Sequence, residues 1–318
     1  MICRRQFIHQ GGQTLLAATL AGAFRVKAAA PAKSTAMKLD LTFPKLGMKC
    51  DQRRALELAA QHGFISVGGD TSQIAAMSEA DLAALDALRR QNNLTWGTCG
   101  CPVDFRRDDA TFEAGLAQLS DAGPKLQQLG LKGMTTWISP AHSELTYLKN
   151  FARHVERMKR IDEVLARYQL RLGLEYVGTQ LGRFNRKHGF IHTAAEMLEL
   201  IDATKGTQLG LILDSWHWWT TGETAADLAS LKAAQIVSVE LNDAPEGIAR
   251  EQQIDGQRRL PAATGVLPIA DFLKAVASTG YDGPVYAEPF YAPLREGTVE
   301  AAAEQVAAAM KRAFALVQ

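Results

Sequence analysis

The sequence predicts an α/β fold, a (β/α)8 TIM barrel, from three observations. Eight short apolar runs alternate with longer amphipathic segments beyond residue 38. No linker rich in proline or serine divides this alternation, which favours one domain. Eight strand–helix units in about 280 residues match the usual size and rhythm of such a barrel. We therefore expect a leader and short linker over residues 1–35 and a single barrel domain over residues 36–318.

The predicted strands are short and rich in Leu, Ile and Val, as parallel strands buried on both faces require. They cover residues 39–48, 64–68, 94–98, 131–138, 170–175, 209–214, 235–241 and 284–288. The segments between them place apolar residues at helical spacing. These predicted helices cover residues 52–61, 78–91, 108–129, 144–168, 193–205, 224–232, 268–279 and 299–316.

An open, doubly wound sheet is the alternative fold for a chain of alternating strands and helices. That fold usually carries a glycine-rich phosphate-binding turn after its first strand. Residues 46–50, which read LGMKC, form no such turn. The barrel is therefore the favoured fold.

The first 28 residues contain four basic residues and no acidic residue. An apolar run over residues 14–24 follows Arg4 and Arg5, and it is far shorter than the roughly 20 residues that span a bilayer. A basic start, an apolar middle and a small-residue exit are typical of an export signal, although a chance basic amphipathic start is the alternative. The Arg-Arg-x-Phe-Ile pattern resembles the twin-arginine type, so we expect a periplasmic protein.

Composition and charge exclude several classes of protein. The chain is 47% hydrophobic and 22% charged, which is typical of a globular protein and not of a disordered or fibrous one. The formal net charge is +1, and removing the four basic residues of the leader leaves 1 − 4 = −3. A mildly acidic protein lacks the basic surface of a nucleic-acid binder. We expect neither a nucleic acid nor a membrane as partner of the mature protein.

Four acidic residues mark the ends of four successive predicted strands: Glu175, Asp214, Glu240 and Glu288. The carboxyl ends of all barrel strands meet at one rim, so these side chains should converge there. Converging carboxylates repel one another unless a cation or a proton compensates. A divalent metal is the direct remedy, and oxygen ligands favour Mn²⁺ or Mg²⁺, with Zn²⁺ or Co²⁺ as alternatives. The other interpretation is a vestigial site held by hydrogen bonds and salt bridges.

The sequence around these acids carries a family resemblance. Residues 172–178, 190–203, 209–222 and 237–247 read LGLEYVG, FIHTAAEMLELIDA, LGLILDSWHWWTTG and VSVELNDAPEG, and an arginine-bearing loop follows. This pattern resembles the xylose-isomerase-like superfamily of sugar isomerases and epimerases, and within it the keto-inositol isomerases most. The resemblance covers essentially the whole chain after the leader. It implies metal ligation by Glu175, Asp214, Glu240 and Glu288, and substrate contacts from His217 and from Arg259, with Arg258 and Arg250 as alternatives to Arg259.

Glu240 departs from the family pattern, because the relatives usually place a histidine at this position. Four carboxylates around one divalent ion leave a formal charge of 2 − 4 = −2. Three explanations are open: a proton is retained, Arg259 and His217 offset the excess, or Glu240 points elsewhere.

The resemblance implies proton transfer next to a carbonyl through an enediolate. A metal would stabilise the enediolate, while Glu175 and Glu288 would remove and return the proton. The first hypothesis is therefore a metal-dependent isomerase or epimerase for an unphosphorylated sugar, keto-sugar or keto-cyclitol. A dehydratase or lyase acting on a related keto-sugar is the second. A non-catalytic periplasmic sugar-binding barrel is the third.

Aromatic residues support a small carbohydrate-like ligand, because their faces suit the C–H faces of sugars. All five tryptophans are assigned to positions at or just past predicted strand ends: Trp96, Trp137, Trp216, Trp218 and Trp219. The alternative is that tryptophan fills large gaps under loops. We expect Trp137, Trp216 and Tyr176 to contact the substrate. A homo-oligomer is compatible with the sequence but is not specified by it.

Overall fold

The computed structural model describes residues 37–318, and the predicted export signal lies outside these residues. Eight parallel strands close into a barrel, which confirms the predicted fold. In the order in which they pair around the barrel, the strands are β1 (Lys38–Leu41), β10 (Pro284–Ala287), β9 (Ile236–Leu241), β8 (Leu209–Asp214), β6 (Arg171–Tyr176), β4 (Gly133–Ile138), β3 (Thr95–Gly100) and β2 (Ser66–Gly69). Two short strands outside the barrel, β5 (Ala141–His142) and β7 (His188–Gly189), pair antiparallel.

Helices surround the barrel and connect its strands. They are α1 (Gln52–His62), α2 (Thr71–Ala76), α3 (Glu79–Gln91), α4 (Asp109–Leu129), α5 (Tyr147–Arg167), α6 (Gln180–Phe184), α7 (Ala194–Thr204), α8 (Ser215–Thr221), α9 (Ala225–Ala229), α10 (Ile269–Ser278), α11 (Ala292–Arg295) and α12 (Val299–Ala315). Side-chain caps define several starts, as at Asp108 for α4 and Thr193 for α7. Among residues 37–318, no helix combines the length and the apolar character needed to cross a membrane.

The first predicted strand is wrong in its second half. The strand ends at Leu41, and a 3₁₀ turn follows over Phe43–Leu46. Pro44 at the start of this turn and Gly47, with a φ of 70°, end the extended chain. The turn lies at the carboxyl end of β1 and therefore aims its side chains at the same rim as the four acids.

A polar cluster lies inside the barrel, beneath that rim. The buried carboxylate of Asp40 accepts hydrogen bonds from Thr42 and from Ser66, the latter at 2.6 Å. Gly97 lies against Asp40, so closely that a Cβ at this position would overlap the carboxylate. Burial, which the two hydroxyl donors offset only in part, raises the pKa of Asp40 to about 6.

We expect Gly97→Ala to destabilise the protein by about 2 kcal/mol, because overfilled cores typically cost about 1–3 kcal/mol. Gly100→Ala is the matched control, since a Cβ there meets nothing within 4 Å. Urea unfolding of both variants measures the difference. Equal stability of the two variants would show that the Asp40 cluster has room to relax.

Asp40 should also make stability depend on pH. Its pKa rises from 3.8 in the reference state to about 6 in the folded protein, so folding favours the protonated form. The contribution of protonated Asp40 to the free energy of unfolding is therefore complete below pH 3.8. It is lost as pH rises to about 6, which lowers the free energy of unfolding by about 3 kcal/mol. Asp40→Asn should lack this loss. Urea unfolding of parent and variant at about pH 4 and pH 6.5 measures it, and identical pH dependence would contradict the assignment.

Candidate active site

Four carboxylates meet at the carboxyl ends of neighbouring strands, as the strand-end pattern predicts. They belong to Glu175 at the end of β6, Asp214 at the end of β8, Glu240 in β9 and Glu288 just after β10. One oxygen from each lies within 4.8 Å of the others, and all four residues are buried. Together these four residues are called the carboxylate cluster below.

Strand register explains why these side chains share one face. Asp214 of β8 pairs with Glu240 of β9, and Glu240 pairs with Tyr286 of β10. Residues paired in neighbouring parallel strands point to the same side of the sheet, and the side repeats every second residue. Glu288, two residues beyond Tyr286, therefore joins the same face.

Lys45 is a member of this site that sequence reasoning missed. Its Nζ lies 2.8 Å from Oε1 of Glu240 and 2.9 Å from Oε1 of Glu288. Burial would lower the pKa of Lys45, but the Glu240 and Glu288 carboxylates outweigh burial and raise the pKa well above its usual value. Lys45 therefore contributes a full positive charge to the cluster. The available signal was a lysine close behind the first strand, which the overlong strand 39–48 concealed.

Arg258 supplies the second positive charge and is almost completely buried. Its Nη1 donates to Oδ2 of Asp214 and to Oε2 of Glu288, each at 2.8 Å. Its Nη2 donates to Asp255 at 2.7 Å and lies 2.9 Å from Nε2 of His217. One guanidinium thus connects two of the strand-end acids with the loop that follows β9.

The structure brings Arg258, rather than Arg259, to the carboxylates. Arg259 forms an isolated antiparallel bridge with Asp243, with backbone hydrogen bonds of 2.8 and 3.0 Å in the two directions. In such extended backbone, successive side chains point to opposite sides, so Arg258 turns inward and Arg259 outward. The third alternative, Arg250, lies 5.9 Å from the ring of Trp219 and is exposed.

The Asn-Asp pair after β9 fixes both this loop and the acid on the neighbouring strand. Asn242 donates from Nδ2 to Oδ1 of Asp214 at 2.8 Å. The Asp243 carboxylate accepts backbone hydrogen bonds from residues 264, 265 and 267, among others. These contacts close the loop that delivers Arg258.

His217 lies in α8, one turn after Asp214, and is brought to the site as predicted. The backbone N–H of Gly178 donates to Nδ1 of His217 at 3.1 Å. Its Nε2 lies 3.2 Å from Oε1 of Glu175. A Cβ at Gly178 would collide with the backbone oxygen of His217, so a side chain at residue 178 would push the imidazole away from Glu175.

The charges of the cluster do not balance by themselves. Four carboxylates, Lys45 and Arg258 sum to −4 + 2 = −2. Burial, only partly offset by Arg258, raises the pKa of Asp214 to about 7. Burial and the negative charges of Glu175 and Glu288 raise the pKa of Glu240 well above its usual range. The site therefore has the electrostatic character of a cation-binding centre.

The donor set fits a divalent metal ion. Oε2 of Glu240 is buried and accepts no hydrogen bond from the protein, and Oε1 of Glu175 is buried with only Nε2 of His217 nearby, at 3.2 Å. One divalent ion would cancel the remaining charge of −2 and give these oxygens a partner. Glu175, Asp214, Glu240 and Glu288 would hold it. Of the three explanations for Glu240, the third is wrong, because Glu240 points into the cluster. The raised pKa values of Glu240 and Asp214 support a retained proton. The cation that lies beside Glu240 is Lys45, not Arg259.

A cavity of about 710 Å³ opens above the cluster. Its polar floor includes Lys45, Glu175, His217, Arg258 and Glu288, whereas Asp214 and Glu240 are completely buried.

The aromatic residues divide into cavity walls and packing residues. Trp137 lines the cavity. Trp216 and Tyr176 are completely buried and do not reach the cavity surface, because Trp216 packs beneath Arg258 and Tyr176 ends β6 inside the fold. Trp96 lines a separate cavity at the opposite, amino-terminal end of the strands, since it begins β3 instead of ending it.

The fold and the site together define an eight-stranded α/β barrel with a buried cluster of four carboxylates, which could hold a metal ion, at the carboxyl ends of its strands. The chain belongs to the xylose isomerase-like TIM barrel family, whose model matches residues 56–313.

Solved structures agree with this assignment. A xylose isomerase domain protein from Alicyclobacillus acidocaldarius is 28% identical, with a TM-score of 0.77 over 88% of this chain and 99% of that one. The IolI protein, solved with a zinc atom, is 18% identical, with a TM-score of 0.72 over 88% and 98%. D-psicose 3-epimerase from Clostridium cellulolyticum H10, solved with D-tagatose, is 16% identical, with a TM-score of 0.70 over 89% and 100%. No curated protein sequence matches this chain significantly.

Lys45 and Glu240 should affect metal affinity in opposite directions. Lys45→Met removes a positive charge and frees Oε1 of Glu288, so Mn²⁺ should bind at least about tenfold more tightly. Glu240→Gln removes a negative charge, so Mn²⁺ should bind at least about tenfold more weakly. The double variant restores the charge of −2 and should return close to the parent. Calorimetric titration of the four proteins with Mn²⁺ measures this, and weaker binding by Lys45→Met would show that Lys45 orients the ligands.

Proposed function

We propose that this protein is a metal-dependent isomerase or epimerase that acts on an unphosphorylated sugar, keto-sugar or keto-cyclitol. The observation that carries the proposal is the placement of Glu175 and Glu288 on the cavity floor, with Asp214 and Glu240 sealed behind them. The carboxylates of Glu175 and Glu288 are thus accessible to a substrate, whereas those of Asp214 and Glu240 would only hold the metal ion. The oxygen-rich set of ligands favours Mn²⁺ or Mg²⁺ as the metal ion.

Glu175 and Glu288 are the proposed acid and base. Burial opposes ionisation of Glu175, but nearby His217 and the charge of Lys45 outweigh burial and lower its pKa to about 2. Glu175 is therefore ionised at neutral pH, and the proposal that it is the base rests on its place at the cavity floor. Glu288 directly follows β10 and Glu175 lies in β6, and these are the outer two of four neighbouring strands. A substrate between them would meet one carboxylate on each side.

The cations of the site suit the charge that develops in this reaction. Removing a proton next to a carbonyl places negative charge on the substrate oxygen. Lys45 lines the cavity and has three N–H donors, one of which it donates to Glu288, while its charge also pairs with Glu240. A further donor is available to a substrate oxygen. When bound, a divalent ion supplies Lewis-acid polarisation of the carbonyl.

We propose export to the periplasm on the basis of the twin-arginine-like pattern within residues 1–35. Phosphorylated sugars are largely cytoplasmic, so this location favours an unphosphorylated substrate. A folded barrel with a bound metal is suited to the twin-arginine route, which carries folded proteins.

Exchange of substrate C–H protons with D₂O tests the proposed function. A panel of ketoses and keto-inositols, with and without Mn²⁺, should show metal-dependent exchange in at least one compound. Glu175→Gln and Glu288→Gln should each reduce exchange by more than about 10²-fold, the lower range for loss of an acid or base. Glu144→Gln, an exposed acid outside the cluster, is the control.

Two measurements keep this test specific. The metal content of each variant must be determined, since metal loss alone would also stop exchange. Mass spectrometry of the product then separates an isomer from the product of a lyase, which has lost a leaving group. A metal-replete variant with full exchange removes that residue from the mechanism, and absence of exchange across the panel favours a sugar-binding barrel without catalysis.

A further inference from the structure

The mouth of the active-site cavity is lined by exposed apolar side chains. Residues 37–318 contain seven large apolar side chains that are strongly exposed, and four of them line this one cavity: Trp137, Leu181, Phe184 and Ile254. Exposed apolar groups are common singly, but a group of four around one opening marks a binding surface. These four residues are called the apolar rim below.

Three of the four rim residues lie in segments outside the barrel strands, and Trp137 lies near the end of β4. Leu181 and Phe184 lie in α6, a short helix between β6 and α7, and Phe184 is 73% exposed. Ile254 lies in the loop after β9, just before Asp255 and Arg258. The same loop thus carries one rim residue and two residues that contact the catalytic centre.

Trp137 is a fixed platform at the inner edge of the rim. It pairs in register with Glu175, so its indole projects on the same side as that carboxylate. The guanidinium of Arg106 lies 4.4 Å from the centre of its ring and donates to its backbone oxygen at 2.8 Å. Arg106 therefore covers one face of the indole, while the side chain remains 44% exposed. The exposed part of the Trp137 indole thus has a fixed position, in which it could pack against a flat apolar group.

The cavity thus has two unlike parts. Its floor carries the cations and carboxylates described above, and its upper wall is apolar. A volume of about 710 Å³ is in the range of roughly 300–1,000 Å³ that encloses a drug-sized ligand, so one sugar ring would leave much of it unfilled. If water filled the rest of the cavity, the apolar surface of the rim would stay exposed to water, whereas an apolar group bound there would bury it.

We propose that the substrate is a sugar carrying an aromatic or similarly bulky apolar substituent, with the sugar ring on the floor and the substituent against the apolar rim. The proposal rests on the proposed function, because it assigns the reacting sugar to Glu175 and Glu288. The rim extends from the catalytic floor and is concave, which favours part of the same ligand over a second copy of the chain as its occupant. Trp137 and Phe184 set the preference for the substituent.

Matched glycosides test this assignment by binding, without requiring turnover. Phenyl and methyl β-D-glucopyranoside form one pair, and phenyl and methyl β-D-galactopyranoside form another. Calorimetric titration of the full chain in Mn²⁺ should show at least about tenfold tighter binding of the phenyl compound in at least one pair, because burying an aromatic ring removes its apolar surface from water. Trp137→Ala and Phe184→Ala should each reduce this preference at least about threefold.

Controls separate this proposal from the proposed function. Leu148→Ala, an equally exposed apolar residue on α5 outside the cavity, should keep the phenyl preference. Glu175→Gln should also keep it, because the substituent does not contact that carboxylate, so the preference can hold even where proton exchange fails. Equal binding within both pairs overturns the proposal. A change of oligomeric state in Trp137→Ala or Phe184→Ala, by light scattering and without a change in glycoside preference, also overturns it and assigns the rim to self-association.

Discussion

The balance of charge in the carboxylate cluster is the constraint on which the rest of this site depends. Four carboxylates whose oxygens lie within 4.8 Å of one another would repel strongly in a buried setting. Lys45 and Arg258 reduce this repulsion, and each is held by a segment outside the barrel strands. The 3₁₀ turn after β1 places the ammonium group of Lys45 beside the carboxylates. The bridge between Asp243 and Arg259 in the loop after β9 directs the guanidinium of Arg258 to the same carboxylates. Parts of the chain that look like connections are therefore parts of the active site.

Glu240 and Lys45 together explain how the chain departs from the pattern of the family it belongs to. The resemblance implies a neutral histidine where this protein has a carboxylate, and that carboxylate lies 2.8 Å from an ammonium. The pair is formally neutral, so the centre keeps the net charge that a histidine would give it. An oxygen donor from Glu240 in place of an imidazole nitrogen makes the donor set harder. Lys45, near the other end of the sequence, neutralises the charge that this carboxylate adds.

Much of the fold and part of the site could be predicted, because both depend on short-range patterns. Apolar runs specify buried strands, and the barrel rule then places strand-end acids at one rim. The site residues that the sequence did not identify share a physical cause: their side-chain directions depend on the path of the backbone over a few residues. Lys45 was hidden because the turn at Pro44 looked like more strand. Arg258 could not be separated from Arg259 without the bridge to Asp243, which decides which of two adjacent side chains points inward. Short elements such as α6 leave no periodic signal, although α6 forms half of the apolar rim.

The contact between Lys45 and Glu288 also bears on how the protein folds. These residues are 243 positions apart. Lys45 lies in the turn after β1 and Glu288 directly follows β10, and the pairing of these first and last strands closes the barrel. Contacts between such distant parts of a chain form late and slowly, because a long loop must be closed before they stabilise anything. A chain that lacks its last strand would lack Glu288, the one carboxylate that both Lys45 and Arg258 contact. The carboxylate cluster is therefore complete only when β10 has joined β1 and the barrel is closed.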